Sequence, residues 1–443
     1  MKTKPTARSV AAIALGRVTT EGAFAAAALE AELVRAVQLD PRDHGLATEL
    51  VYGTLRVLPW LEARLNAYAR KPVATLPEPV RSHLALAAYQ LFFMRVPAFA
   101  AVNEAVSAVR EALGERMSAF SNAVLRKVAT EAAAATPELL QQARLASIPV
   151  WLRDALIASV GDEGARGILG GSEAPPAGLR VERAAERDGL LETLRAARPS
   201  ASFEPGAVSP LSILARGAGK LEALPGHGEG AWSIQEEGSQ AVALSLGARP
   251  GESVLDACAG RGNKTAILAR AVGETGSVDA CDLHTKKLAR LKDELARVGL
   301  SARGLYAVDW SVGSGEVTAT YDRVLVDAPC SGSGTLRRRP EISLRRKDNG
   351  LGEVAATELS ILSRAATHVR PGGTLVYAIC SVLREEAEAV VDALLASDPT
   401  LEAAPIAAPE LAHLAQGASQ LRLMPHLHGT DGYFIACFRK RSL

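Results

Sequence analysis

Two cysteines in the second half of the chain could each supply a thiolate nucleophile. Cys330 lies in the stretch VDAPCSGSGTLRRRPEI, and Cys380 lies in LVYAICSVLREE. A cysteine attacks a substrate only from a partly exposed position with a base or a positive charge nearby. Each of the two follows an apolar run that predicts a strand, and we expect both side chains to face one pocket. Their order in the chain does not say which one attacks.

Acidic residues accompany the cysteines at the predicted strand ends. From residue 236 onwards, strands alternate with helices of about 10 to 15 residues, which predicts a parallel doubly wound sheet. In such a sheet the ligand binds at the carboxyl ends of the strands. Aspartate is also common in turns and at helix N-caps, which would explain one such residue but not the whole set. The strand ends carry Asp256, Asp282, Asp309 and Asp327.

The first of these strand ends leads into ACAGRGNKT, where Gly260 and Gly262 allow the backbone to approach a ligand closely. The loop matches neither GxGxxG nor GxxxxGK[ST], which disfavours a dinucleotide and a nucleoside triphosphate. A carboxylate at the position of Asp282 can accept hydrogen bonds from both ribose hydroxyls. S-adenosylmethionine has a ribose and needs no phosphate cradle, and Asp309 could then bind its adenine amino group.

A basic run, TLRRRPEISLRRK, follows Cys330 and contains Glu341 as its one acidic residue. Such a run is usually a solvated face, but beside a cofactor pocket it favours contacts with the phosphates of a nucleic acid. Aromatic residues are scarce in the run, so base stacking is not indicated. The predicted RNA-binding residues are Arg337, Arg338, Arg339, Arg345 and Arg346.

The composition limits the class of protein. The chain has 443 residues and a net charge of +1, so we expect two or three domains and no uniformly basic surface. The five cysteines form no CxxC pair and the eight histidines show no metal-ligand spacing, so we expect no metal and a reducing compartment. No segment resembles a signal peptide or a membrane span. We therefore expect a cytoplasmic location.

Three regions differ in their sequence pattern. Residues 1–143 have apolar residues at helical spacing and predict an all-α domain. Residues 144–235 mix short apolar pieces with turns and predict a small α/β module. Residues 236–443 carry the alternating strands and helices, and end in a predicted strand pair within LRLMPHLHGTDGYFIACFRK. The expected fold is therefore multidomain, with the chemistry in the C-terminal α/β domain.

These motifs resemble those of the RNA cytosine-5 methyltransferases of the NOL1/NOP2/Sun family. LDACAGRGNKT is similar to the family's first cofactor motif, VDAPCSGSGTLRRRPEI to its most diagnostic motif, and GGTLVYAICSVLREE to the motif with the second cysteine. ATELVYGTLR and FSNAVLRKV resemble the NusB-like helical domain of the RsmB (Fmu) branch, which methylates a cytosine of 16S ribosomal RNA. The resemblance covers nearly the whole chain and implies a Rossmann-like C-terminal domain that uses S-adenosylmethionine.

The resemblance also implies a mechanism. Cys380 would add to C6 of the target cytosine, Asp327 would bind its N3/N4 edge, and Cys330 would assist loss of the C5 proton and release. A substituent at C6 makes C5 nucleophilic, and the base must leave any stack to be reached. Lys264 would lie near the catalytic carboxylate. The implied cofactor site consists of Cys258, Ala259, Gly260, Arg261, Gly262, Asn263, Lys264, Asp282, Asp309 and Asp327.

The chain departs from the family pattern in three places. The usual loop has Ala-Pro-Gly-Gly before the lysine, whereas this chain has Gly-Arg-Gly-Asn at 260–263. Ile379 replaces the usual threonine before the implied nucleophile, and Ala387 stands where an asparagine is common. Each change could lower activity, although none removes a reacting group.

Other functions stay open at this point. A non-catalytic RNA-binding or ribosome-assembly factor would keep the helices but would have lost the cofactor. A related enzyme could methylate another RNA, or a DNA cytosine through the Pro-Cys pair itself, although the helical domain and the second cysteine count against DNA. We expect a monomer that binds RNA and no membrane.

Overall fold

The computed structural model describes residues 4–136, 138–170, 174–345 and 350–442. They form two compact units. The first contains residues 1–153 together with 338–348, and the second contains residues 154–337 together with 349–443. Within the described ranges, no helix is long and apolar enough to cross a membrane.

The first unit is helical. Its first helix begins after Thr6, whose hydroxyl accepts a hydrogen bond from the Ser9 N–H (3.1 Å) while the Ser9 side chain caps the Thr6 backbone in return. Leu50, Leu61 and Leu84 are fully buried in the common core. The helices are α1 (Ala7–Glu21), α2 (Ala25–Arg35), α3 (Pro41–Tyr68), α4 (Glu78–Phe93), α5 (Ala98–Leu113), α6 (Glu115–Ala132) and α7 (Leu139–Ala146).

A helix and a small antiparallel sheet follow. The helix α8 (Val150–Leu169) is interrupted at Gly161, where φ is +71°. The sheet has the strand order β2-β3-β1-β4 and buries Trp232 in its own core. Its elements are β1 (Ala177–Val181), α9 (Arg187–Ala197), β2 (Ser202–Pro205), β3 (Ser212–Arg216) and β4 (Trp232–Ile234).

The remaining elements build the predicted strand–helix alternation. Apolar runs flanked by glycine turns form its central strands, as expected for a sheet with helices on both faces. The elements are α10 (Glu237–Ser245), β5 (Ser253–Asp256), α11 (Asn263–Val272), β6 (Ser277–Asp282), α12 (Thr285–Arg297), β7 (Gly304–Ala307), β8 (Tyr321–Asp327), α13 (Ile342–Arg345), α14 (Leu351–Ala366), β9 (Val369–Ile379), α15 (Glu388–Ser397), β10 (Leu401–Ala403), α16 (Ala412–Ala415), β11 (Gln420–Leu423), α17 (Pro425–His428) and β12 (Tyr433–Lys440).

The large sheet has the order β10-β12-β9-β8-β5-β6-β7, with β11 paired to β12. Strands β5 to β9 pair parallel with one another, whereas β12 pairs antiparallel with β9, β10 and β11. The chain runs outward from β5 to β7 and returns to the other side of β5 with β8, so a topological switch point lies between β5 and β8. The predicted helical domain, parallel doubly wound α/β domain and closing strand pair are thereby confirmed.

The short segment 338–345 belongs to the helical unit although it lies within the sequence of the α/β domain. Leu344 packs against the helical core, and the Glu341 carboxylate accepts a hydrogen bond from the Ala25 N–H (3.2 Å). Arg345 donates to the Gly22 carbonyl (2.8 Å), and its guanidinium lies 3.8 Å from the centre of the Phe24 ring. Part of the basic run is therefore anchored on the turn between α1 and α2.

Candidate active site

The carboxyl ends of β5, β8 and β9 bring the main candidate residues together. Asp256 ends β5 and is paired with Leu325 in β8, two residues before Asp327. Asp327 ends β8 and is paired with Ala378 in β9, two residues before Cys380. The parallel register therefore places both carboxylates and the cysteine at one edge of the sheet, beside the switch point.

The two cysteines lie in contact with each other. Their Sγ atoms are 3.3 Å apart, and both side chains are partly exposed. The hydrogen bond with Cys380, together with burial, raises the pKa of Cys330 well above its ordinary value. Cys330 therefore holds its proton at neutral pH. The two thiols therefore lie side by side at one edge of the sheet.

Lys264 and Asp327 form an ion pair beside the thiols, with Nζ and Oδ2 2.5 Å apart. Burial disfavours the ammonium form of Lys264, but the neighbouring charges, chiefly that of Asp327, outweigh burial and leave its pKa raised. Asp256 is fully buried behind this pair and accepts a hydrogen bond from the Thr265 hydroxyl (2.8 Å). Burial raises the pKa of Asp256 to about 7.

The loop after β5 presents open backbone to a ligand. Gly260 has φ of +60°, and a Cβ atom there would meet no atom within 4 Å. Gly262 has φ of +91° and precedes α11, where a Cβ atom would meet the Leu291 side chain at 2.7 Å. The Ala259 N–H donates to the Cys281 carbonyl (2.7 Å) and fixes the loop against β6. The loop therefore keeps the glycine-dependent conformation although it lacks the usual family sequence.

Asp282 holds this loop from the end of β6. Its carboxylate accepts hydrogen bonds from the N–H groups of Gly260 (3.1 Å) and His284 (2.8 Å), and Lys287 lies 3.3 Å away. Asp309, beyond the end of β7, is exposed and accepts from the Ser311 N–H (3.0 Å) and hydroxyl (2.5 Å). Asp282 therefore organises the loop, whereas Asp309 caps its own turn.

The other residues predicted for the cofactor site differ in exposure. Burial raises the pKa of the Cys258 thiol well above its ordinary value, so this thiol is inert while its backbone lines the loop. Arg261 is exposed, and the Asn263 amide donates to the Ile234 carbonyl (3.3 Å). Arg261 therefore lies at the surface, and Asn263 is held by the end of β4.

Two exposed apolar side chains were missed by sequence reasoning. Leu283 is 57% exposed directly after Asp282, and Val312 is 76% exposed three residues after Asp309. Single exposed apolar side chains are common on protein surfaces, but at the ligand-binding edge of a parallel sheet they offer a surface that a ligand can cover. An apolar residue directly after each strand-end aspartate is the pattern that could have identified Leu283.

Two buried glutamates behind the thiols were also missed. Glu386 accepts hydrogen bonds from the Ser331 N–H (2.6 Å) and hydroxyl (2.5 Å) and from the Ser381 hydroxyl (2.5 Å). Burial, followed by the charge of Glu386, raises the pKa of Glu358 to about 10. Glu386 follows Cys380 by six residues in the sequence, but nothing in the pattern singles out Glu358.

The basic run divides at Arg337. The Arg337 guanidinium pairs with Asp431 (2.5 Å) and donates to the Gly429 carbonyl (2.8 Å), so it braces the α/β unit internally. Arg339 and Arg345 are exposed on the helical unit, where both guanidinium groups lie near Phe24. Arg338 lies in the same segment and is half-buried. The predicted Arg346 lies outside the described residues.

Known proteins resemble this chain over its whole length. Residues 243–439 match the family model described as 16S rRNA methyltransferase RsmB/F, and residues 5–130 match the NusB family. A Bacillus subtilis protein named "Probable ribosomal RNA small subunit methyltransferase B" is 32% identical over 99% of this chain and 100% of its own. This chain belongs to the ribosomal RNA small subunit methyltransferase B family.

Further members of the small subunit methyltransferase B family agree. The Klebsiella pneumoniae ribosomal RNA small subunit methyltransferase B is 30% identical over the full length of both chains. The crystal structure of PH0851 matches 99% of this chain and 100% of its own with a TM-score of 0.82, at 23% identity, which shows the same fold. The family consists of S-adenosylmethionine-dependent methyltransferases of ribosomal RNA, so the predicted family is confirmed, and so is the prediction of an RNA methyltransferase at that coarser level.

Proposed function

We propose that this chain methylates C5 of a cytosine in 16S ribosomal RNA through a covalent adduct between Cys380 and C6. The observation that carries this proposal is the thiol pair, with Sγ atoms 3.3 Å apart beside the Lys264–Asp327 ion pair. A methyltransferase acting on a nucleophilic nitrogen or oxygen needs no thiol, whereas C5 of cytosine becomes nucleophilic only when C6 is substituted.

The residues of the loop and of β6 fit S-adenosylmethionine. Gly260 leaves open space at its Cα, Asp282 offers a carboxylate for ribose hydroxyls, and Leu283 offers an apolar surface for a base. The cofactor supplies an electrophilic methyl group. The loop after β5 matches neither phosphate-binding motif, which also agrees with a cofactor that has no phosphate.

In the first step the Cys380 thiolate adds to C6, and an S–C6 bond forms as the C5–C6 double bond opens. The electron pair moves through the ring to N3, which takes up the proton that the Cys380 thiol gave up, and Asp327 relays this proton and holds the N3/N4 edge by hydrogen bonding. Lys264 keeps Asp327 in place through the 2.5 Å ion pair. C5 of the adduct is then electron-rich and takes the methyl group.

In the second step the C5 proton must leave and the S–C6 bond must break. Cys330, in contact with Cys380, assists this elimination, which restores the C5–C6 double bond and frees the Cys380 thiolate. The C5 proton passes to the Cys330 thiolate, which forms when the partly exposed Cys330 thiol gives its own proton to solvent water. The two thiols therefore have sequential roles.

Single alanine variants test these roles. We expect Cys380→Ala to abolish methyl transfer to 16S ribosomal RNA, and Cys330→Ala to accumulate a covalent RNA adduct that survives denaturing electrophoresis. Adduct formation in both variants, or full activity of Cys380→Ala, would show that the order of the cysteines is wrong. Cys437→Ala is the control, because that cysteine is buried in β12 outside the site.

Two further measurements separate the alternatives. Bisulfite sequencing of ribosomal RNA from cells with and without the gene identifies the modified cytosine, and the same assay on transfer RNA and DNA tests the other substrates. Calorimetry with S-adenosylmethionine tests the non-catalytic RNA-binding factor. A chain that gives no binding heat would favour that factor over an enzyme.

A further inference from the structure

The Glu386 carboxylate connects the two loops that carry the thiols. It is fully buried, and its two oxygens accept three hydrogen bonds, from the N–H and hydroxyl of Ser331 and the hydroxyl of Ser381. Ser331 directly follows Cys330, and Ser381 directly follows Cys380. One side chain therefore fixes the residue next to each thiol.

Further hydrogen bonds continue the connection between these loops. The hydroxyls of Ser333 and Ser381 lie 2.9 Å apart, and the Val382 N–H donates to the Ser333 hydroxyl (3.2 Å). The Gly334 N–H donates to the Cys380 carbonyl (3.0 Å). Most of these bonds involve hydroxyl groups, which rotate, so the charged carboxylate is the acceptor that orients them.

Glu358 lies behind Glu386 and is also fully buried. Burial and the Glu386 charge raise the pKa of Glu358 to about 10, so it carries a proton at neutral pH. The two Glu358 carboxyl oxygens have no hydrogen-bond partner among the described residues, so the protonated form removes a charge that would otherwise repel Glu386. Tyr377 completes the cluster by donating from its hydroxyl to the Glu386 carbonyl (2.7 Å).

We propose that Glu386 is a positioning residue that sets the separation of the Cys330 and Cys380 thiols. The proposal rests on the proposed function, because only a mechanism with two thiols acting on one base requires their separation to be fixed. Glu386 touches no reacting atom in this mechanism and acts through Ser331 and Ser381.

The separation of the thiols can be measured without any methyl transfer. In glutathione buffers, the two protein thiols and one oxidised glutathione exchange to a Cys330–Cys380 disulfide and two reduced glutathiones. The equilibrium constant of this exchange has units of concentration. It is the effective concentration of one thiol at the other, and it reports how closely the two thiols face each other. Peptide mass spectrometry under acid quench identifies the Cys330–Cys380 linkage among the five cysteines.

We expect Glu386→Gln to lower this effective concentration by about tenfold or more. Glu385→Gln is the matched control, because it removes the same charge one residue earlier from an exposed side chain, and it should stay within about twofold of the unsubstituted chain. An unchanged value in Glu386→Gln overturns the positioning role. If that variant does not fold, the double variant Ser331→Ala and Ser381→Ala replaces it, with the same expected and contrary results.

Methyl transfer provides a separate readout. We expect Glu386→Gln to lower kcat by about tenfold or more while the KM for S-adenosylmethionine stays unchanged, because only the thiols move. If the unsubstituted chain makes no 5-methylcytosine while Glu386→Gln still lowers the effective concentration, the proposed function fails and the placement of the thiols by Glu386 stands. If kcat and the effective concentration are both unchanged in Glu386→Gln, the positioning role of Glu386 is wrong and the proposed function is unaffected.

Discussion

The two halves of the candidate site are built differently. The half that carries the thiols is braced by buried carboxyl groups, with Glu386 and Glu358 fully buried and the Sγ atoms in contact at 3.3 Å. The half assigned to the cofactor is open, with Leu283 57% exposed and Gly260 facing empty space. Covalent chemistry at two atoms of one base requires fixed groups, whereas a mobile ligand requires a surface that it can cover. Each of the following changes affects one half and should leave the other intact.

The largest effect is expected from Asp327→Asn, at the centre of the thiol half. The amide cannot pair with Lys264 and cannot stabilise the activated ring, so kcat should fall by about 10² to 10⁴-fold. Single-turnover methyl transfer measures this loss, and calorimetry should show S-adenosylmethionine binding within about threefold of normal. Asp293→Asn, on the exposed face of α12, is the control. If Asp327→Asn weakened only the binding of S-adenosylmethionine, Asp327 would belong to the cofactor half.

The next effect is expected from Asp282→Ala, in the cofactor half. The substitution removes the acceptor for the Gly260 and His284 N–H groups and for the ribose, which should raise the Kd for S-adenosylmethionine by roughly 10- to 100-fold. The glutathione equilibrium of Cys330 and Cys380 should not change. A change in that equilibrium would show that the two halves are coupled rather than separate.

A pH-dependent effect on stability is expected from Glu358→Gln. The folded pKa of Glu358 is about 10 against an ordinary 4.5, so the folded chain holds this proton more tightly than the unfolded chain does. The contribution of Glu358 to stability is therefore full below pH 4.5 and is lost progressively as the pH rises to 10. The glutamine variant does not titrate, so its free energy of unfolding should rise relative to the unsubstituted chain by up to about 1.4 kcal/mol per pH unit.

Urea unfolding at pH 6, 7 and 8 measures this difference. Glu353→Gln is the control, because Glu353 is exposed on the same helix, α14. Glu386, Tyr377 and Cys380 face Glu358 and are present in all three proteins, so their own titration cancels to first order. A difference that does not vary with pH would mean that Glu358 is ionised in the folded chain.

The smallest effect is expected from Asp309→Ala. Its carboxylate is exposed and already bound to Ser311, so the Kd for S-adenosylmethionine should rise by about threefold or less. Isothermal titration calorimetry with S-adenosylmethionine measures the Kd of Asp309→Ala, and the Kd of Asp282→Ala is measured beside it for comparison. A rise in Kd as large as that of Asp282→Ala would show that Asp309 contacts the adenine directly, as its position at a strand end first suggested.

Much of the fold was predictable because its pattern is local. The alternation of apolar strands and amphipathic helices from residue 236 onwards defines a parallel sheet, and the motif residues fall at its strand ends whatever the details of packing. The attachment of segment 338–345 to the helical unit was not predictable. Glu341 and Arg345 bond to residues more than 300 positions away in the chain, and Leu344 packs against the helical core. The ion pair between Arg337 and Asp431 was not predictable for the same reason.

The sequence alone determined the family, the order of the domains, and the residue types that can react: two cysteines, a lysine and the strand-end aspartates. It could do so because motifs and periodicity are written along the chain. Only the tertiary structure decided that the thiols touch, that Asp282 holds the cofactor loop while Asp309 caps a turn, and that Glu386 links the residues after both cysteines. Those facts depend on strand register and on burial, which bring distant residues within hydrogen-bonding distance and change which of them carry charge.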